Sequence, residues 1–132
     1  MASITNLIRR VLLIGNGLTF LVIAVGVLLS PNKAAYIYGY TLDGADGVDE
    51  FFAVYIGFWI GLTILFFISA WKLELTLLGD IAFLMILLQS LGRVLSFALD
   101  GKPSERFIIA FCLEFSTSLL GLLMRPRPVQ QT

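Results

Sequence analysis

Residues 75–99 read LTLLGDIAFLMILLQSLGRVLSFAL. The stretch is long and apolar enough to cross a bilayer, which takes about 20 residues over about 30 Å of hydrocarbon, yet it carries Asp80, Gln89 and Arg93. On insertion scales a central Asp or Arg costs roughly 2.5–3.5 kcal/mol, while each Leu, Ile, Phe or Val contributes about 0.3–0.6 kcal/mol in favour. The two sides about balance. A helix of this kind is stable in lipid when other helices surround it, so the segment predicts a bundle and places itself as the interior element.

Three further apolar runs flank it. Residues 11–29 and 51–71 carry no charge, and residues 107–124 carry only Glu114. The expected fold is therefore all-α, a transmembrane four-helix bundle forming a single domain over residues 1–132, with spans at about 11–29, 51–71, 75–99 and 107–124. Composition agrees: the chain is 58% hydrophobic and 14% charged, whereas soluble domains run to about 45–50% apolar and about 25% charged. A net charge of zero with scattered cations leaves no basic face for nucleic acid. With no histidine and a single cysteine, Cys112, the chain lacks the usual ligands for zinc, histidine-ligated haem or an iron–sulfur cluster, and no cofactor, metal or catalytic residue is expected. Cys112 should be a buried, inert thiol.

The pair Arg9-Arg10 before the first run resembles the start of a secretory signal, but the run is longer than an h-region and ends in Ser30-Pro31-Asn32-Lys33, so it reads as a retained helix. The pair is expected to be a positive-inside anchor. Arg9, Arg10, Lys72, Arg125 and Arg127 fall on the side of the termini, and Lys33, Lys102 and Arg106 on the other. That bias predicts both termini in the cytoplasm and a multi-pass protein of the bacterial inner membrane.

The connections are unequal. Only residues 72–74 separate the second and third spans, which must be antiparallel neighbours. The first outer connection, residues 30–50, is long, and Ser30, Pro31 and Gly39 read as cap, first turn and terminator of a short interfacial helix. Tyr36, Tyr38 and Tyr40 suit the membrane–water boundary. The acids that follow, Asp43, Asp46, Asp49 and Glu50 among glycines, miss the ligand spacing of an EF-hand loop and read as a solvated, flexible turn.

In lipid, helices associate through small residues and interhelical polar contacts. Ala53, Gly57 and Gly61 form one groove on the second span, Gly15 and Gly26 lie along one stripe of the first, and Gly92 is on the third. All are expected at helix contacts, either within the bundle or between two copies. The ionisable residues are more specific. Arg93 lies seven residues before Asp100 and Glu114 seven after Phe107, so each sits about 10 Å from the outer end of its helix, and the two should pair. Gln89, Ser96 and Asp100 extend the polar face of the third span, Thr117 that of the fourth, and Tyr55 on the second joins the same seam. Asp80, nearer the side of the termini, has Asn16 as its expected partner. The seam either fixes helix register or lines a pocket in which Arg93 donates to a polar or anionic head group.

The combination Tyr55-x-Gly57-x-Trp59-x-Gly61, Gly92-Arg93-x-x-Ser96, Asp100-Gly101-Lys102-Pro103 and Leu113-Glu114 resembles a family of small bacterial four-helix membrane proteins known only as a domain of unknown function. More distantly it is similar to DoxX-like proteins, some of which are accessories of membrane oxidoreductases. The resemblance implies Arg93, Asp100, Pro103 and Glu114 as a shared constellation and assigns it no reaction. The expected function is that of a non-catalytic accessory or scaffold subunit working through lateral helix contacts with a membrane-protein partner or a second copy in the lipid bilayer. The alternative is binding of a lipid, quinone or other amphipathic small molecule in the seam between the second, third and fourth spans.

Overall fold

The computed structural model describes residues 4–125; Arg127, counted above among the cations, lies outside them. Helix α1 runs over Ile4–Leu29, α2 over Pro31–Tyr38, α3 over Gly44–Phe52, α4 over Trp59–Trp71, α5 over Thr76–Asp100 and α6 over Glu105–Leu123, and a π-helical segment, Ala53–Phe58, joins α3 to α4 without a break. Four stretches are long and apolar enough to span a membrane: Ile4–Leu29, Gly44–Trp71, Thr76–Asp100 and Glu105–Leu123. Their outward faces carry exposed residues such as Val22, Leu28, Ile64, Leu88, Leu95 and Ile109, which is the surface a helix offers to lipid rather than to water. The start of α1, the turn from α4 to α5 and the end of α6 share the terminal end of the bundle. The long first connection and the turn from α5 to α6 form the loop end.

Helix α1 packs most extensively on α4 and α5 on α6, with α4–α5 and α1–α6 contacts completing the ring. The main core is built from Leu13, Phe20, Trp59, Leu62, Phe66, Phe83 and Ile86 among others. Phe66 is its centre, stacked on Phe20 at 6.2 Å and meeting Phe83 edge-on at 5.6 Å. The third span is not the interior element expected of it. The first two spans bury a larger share of their residues, and α5 encloses only Gly79, Ala82, Phe83, Ile86 and Ser90, with none beyond Ser90 toward the loop end. Asp80 and Arg93 are neutralised by specific partners instead of by general enclosure.

The expected glycine contacts are absent within the bundle. Ala53, Gly57, Gly61, Gly15, Gly26 and Gly92 are all exposed, and a Cβ at Gly15, Gly26, Gly61 or Gly92 would meet nothing within 4 Å. The close approaches occur elsewhere. A Cβ at Gly17 would come within 2.9 Å of the Phe67 ring, one at Gly79 within 2.6 Å of Arg9 Nη2, and one at Gly121 would run into the Phe83 ring. Each of these glycines makes room for a large side chain from another helix, a different use from the backbone-to-backbone grooves of small-residue motifs.

The first connection is more ordered than its glycines suggested. Gly39 has φ 78°, a conformation that glycine tolerates at little cost. Its N–H donates to Tyr36 O (3.2 Å) and that of Tyr40 to Ala35 O (2.9 Å), the pairing that closes a Schellman motif and ends α2. Ser30 makes no side-chain cap; only its carbonyl takes part, accepting from Ala34 N–H at 2.9 Å. The acidic stretch is helical rather than a flexible turn: Gly44–Phe52 is the beginning of the second span. The reason lies further on, where Phe51 is held in a second core with Val27, Ala34 and Ala35 and pulls the preceding turns into helix.

Candidate functional site

The polar residues are divided between the two ends, and the contrast between the clusters is informative. At the terminal end Arg9 is 1% exposed. Its Nη1 donates to Gly121 O at 2.9 Å, and its Nη2 to Thr76 O at 3.0 Å and to Asp80 Oδ1 at 2.6 Å, while the guanidinium lies 5.6 Å over the Phe83 ring. Arg125 Nε reaches Asp80 Oδ2 at 2.9 Å. Two expectations are corrected here. Arg9 is buried rather than free at the surface, and the partners of Asp80 are Arg9 and Arg125, not Asn16. Asn16 instead donates to Leu12 O (2.9 Å), and its Oδ1 lies 3.3 Å from the Thr117 hydroxyl. Adjacent residues on a helix point about 100° apart, so one arginine of the pair faces the bundle while Arg10 faces out.

At the loop end Arg93 and Glu114 form a two-point ion pair. Nε donates to Glu114 Oε2 at 2.9 Å and Nη2 to Oε1 at 3.0 Å, the planar fork that suits guanidinium to carboxylate. Gln89 Nε2 donates to the same Oε1 at 3.2 Å, and the Phe107 ring lies 5.8 Å beneath the guanidinium. Unlike Arg9, this pair is partly open, with 24% of the Arg93 side chain and 17% of that of Glu114 exposed. The difference follows from packing: beyond Ser90 on α5 and before Ser118 on α6 no residue is buried, so the outer halves of these helices leave the seam accessible.

An aromatic wall lies nearby, with its Tyr55 within electrostatic reach of Arg93. Phe51, Tyr55 and Trp59 are spaced by four, and eight residues of regular α-helix overshoot two turns by about 80°. The wider turns of the Ala53–Phe58 segment take up that excess, so that the three rings line up, Phe51 tilted against Tyr55 and Tyr55 edge-on to Trp59, both at 4.6 Å. Segments of this kind are frequent at functional sites. Helix α2 folds over the wall: Tyr38 stacks on Tyr55 at 5.0 Å and meets Trp59 edge-on at 6.4 Å, and Tyr40 and Tyr55 join hydroxyls at 3.3 Å. Tyr38 lies within electrostatic reach of both charges. Its burial pushes the phenol above its ordinary pKa, Arg93 opposes that shift and Glu114 reinforces it.

Of the residues assigned to the seam, Arg93, Glu114 and Gln89 come together, with Tyr55 on the aromatic wall. Thr117 lies deeper, donating to Leu113 O at 2.7 Å. Ser96 and Asp100 are exposed and belong to no ion pair among the described residues. Cys112 is exposed rather than buried, turned outward because α6 presents Glu114 and Ser118 inward. Tyr38, Tyr40 and Phe107 also belong to the site; the sequence marks the tyrosines only as interfacial, because their fold over the seam depends on how α2 docks. Among the described residues no group of acidic or cysteine side chains is arranged to hold a metal ion.

Residues 8–124 match a family model described as domain of unknown function (DUF4345). No curated protein and no solved structure matches the chain.

Proposed function

From the premise that the chain belongs to the DUF4345 family, we propose that its loop-end seam binds an amphipathic small molecule, a lipid or quinone in type, whose polar head accepts from Arg93 and whose apolar part lies along the aromatic wall. The role is binding rather than catalysis, in a bacterial inner membrane with both termini cytoplasmic. The observation that carries it is the unequal treatment of the two ion-paired arginines, one at each end of the bundle. Arg9 is enclosed and spends both terminal nitrogens on protein acceptors, whereas Arg93 is partly open and its Nη1 donates to no acceptor among the described residues. A guanidinium carries five donors in a fixed fork, so a free Nη1 beside an ion pair can serve a carbonyl or phosphate oxygen. Open polar groups at this depth are commonly functional.

Native mass spectrometry in a mild detergent tests it. The wild-type protein should retain a stoichiometric adduct, and Arg93→Lys, which keeps the charge and loses the fork, should weaken retention about tenfold, or roughly 1.4 kcal/mol. Failure of the wild type to hold any adduct after supplementation with quinones and a lipid extract would exclude the reading.

A second reading, that of an accessory subunit working through lateral contacts, is favoured by one feature: Ala53, Gly57 and Gly61 present a small-residue stripe outward. A photo-crosslinker placed at position 64 should then capture one membrane protein, and Gly61→Leu should abolish capture without changing the stability of the isolated chain. Capture no greater than from position 109, on the outer face of α6, would count against it.

A further inference from the structure

Arg10, turned outward by the helical step that turns Arg9 inward, rims an open groove of about 560 Å³ between α1 and α4, lined by Ile14, Phe67, Ala70 and Trp71. We infer that this groove is a binding site for an anionic phospholipid, with the phosphate on Arg10 and an acyl chain along Ile14, Phe67 and Ala70. Three observations converge on that occupant.

The first is depth. Helix α1 has 26 residues and is about 39 Å long, against about 30 Å of hydrocarbon. Arg10 lies six residues from its start, about 9 Å in, which is the level of the head groups when the far end of α1 meets the opposite boundary. Trp71, the last residue of α4 and 85% exposed, marks the same level, where indole rings collect. The second is charge. Arg10 has no acidic partner among the described residues, and Lys72, exposed and next to Trp71, adds a second cation at this rim against a single acid, Glu74, in the same turn. A zwitterionic lipid brings its own ammonium to this field, and an anionic lipid does not. The third is shape. The walls below Arg10 are apolar and open sideways, as an acyl chain requires, and the volume falls in the range of sites that hold a small amphiphile. The site lies at the opposite end of the bundle from the Arg93 seam and does not rest on it.

Fluorescence quenching by brominated lipids tests the inference, since Trp71 is exposed whereas Trp59 is 6% exposed and out of reach. In vesicles of phosphatidylcholine, brominated phosphatidylglycerol should quench the emission at about fivefold lower mole fraction than brominated phosphatidylcholine, the preference expected from one cation near the surface. Arg10→Gln should bring the two lipids level, and Arg10→Lys should keep the preference. Should Arg10→Gln fail to fold, the wild type still decides the matter, because its preference should shrink as ionic strength rises. Equal quenching by both lipids in the wild type, a preference that survives Arg10→Gln, or no quenching by either lipid because a second copy or another protein covers Trp71, would each overturn it. Arg93→Lys should leave the preference unchanged.

Discussion

Replacing Arg9 with Met is expected to lower the stability of the bundle by about 3–5 kcal/mol, the range found when one partner of a buried ion pair is removed. The loss has three sources. Asp80, 20% exposed, keeps only Arg125, whose side chain is 59% exposed and which contributes at most about 1 kcal/mol as a surface partner. Gly121 O belongs to the last turn of α6, where carbonyls have no partner within the helix, and Arg9 supplies a donor to it. The guanidinium also meets the negative end of the α6 dipole there. Arg9→Lys should fall between wild type and Arg9→Met, because one ammonium cannot reach acceptors on both α5 and α6 with the geometry of the fork. Gly79→Ala should act through the same group, since its Cβ would stand 2.6 Å from Arg9 Nη2. Reversible unfolding by SDS from mixed micelles would measure all three. An Arg9→Met protein within about 1 kcal/mol of wild type would show that the terminal-end network does not hold the helices together, contrary to what is expected of a buried pair.

The spans were legible because lipid solvation imposes a length on any helix that crosses it, and runs such as residues 51–71 satisfy that length without a charge. The Arg93–Glu114 contact was legible for a related reason. Two opposite charges at equal depth on neighbouring antiparallel helices have few other partners, so counting residues from the helix ends was enough. Facing was not legible. In a soluble helix the polar side marks the surface, but both sides of these helices are apolar, and nothing in Gly57 or Gly61 says whether its missing side chain faces protein or lipid. The adjacent arginines show the same ambiguity: their roles differ only by a rotation of about 100°, and that rotation is set by where Gly79 and Phe83 leave room. The π-helical segment was equally hidden, because the gain that maintains it is the alignment of Phe51, Tyr55 and Trp59 against Tyr38, a contact with a different helix.

The terminal end and the loop end thus use the same chemistry to different ends. Around Arg9 every acceptor is protein and the surrounding core is closed, an arrangement that fixes the relative positions of α1, α5 and α6. Around Arg93 no residue beyond Ser90 on α5 or before Ser118 on α6 is buried, and Tyr38, Tyr40 and Tyr55 complete the enclosure only in part. The bundle is thus closely packed at its terminal end and open at its loop end, and the proposed binding site rests on that asymmetry.

Alanine at Arg93 and at Glu114, singly and together, is expected to reveal a coupling of about 1–3 kcal/mol, so that the double variant is less destabilised than the sum of the two single ones. The sign follows from the geometry. Arg93→Ala leaves Glu114 with Gln89 as its remaining side-chain partner at 3.2 Å, a carboxylate at membrane depth without a cation. Glu114→Ala leaves the guanidinium with the Phe107 face and no acid. The double variant removes both charges and leaves neither uncompensated. Exposure of 24% and 17% of the two side chains holds the coupling below that of a fully enclosed pair, so Arg9 and Asp80 should give the larger number in a parallel cycle. Additive effects, with a coupling under about 0.5 kcal/mol, would mean that the two groups do not interact in the membrane. The same four proteins also separate a structural pair from one that serves a ligand. A molecule bound through Arg93 stabilises only the folded chain that can hold it, so adding the retained ligand should raise the wild-type midpoint and leave the double variant where it was. A pair whose only role is to fix register predicts no shift in either.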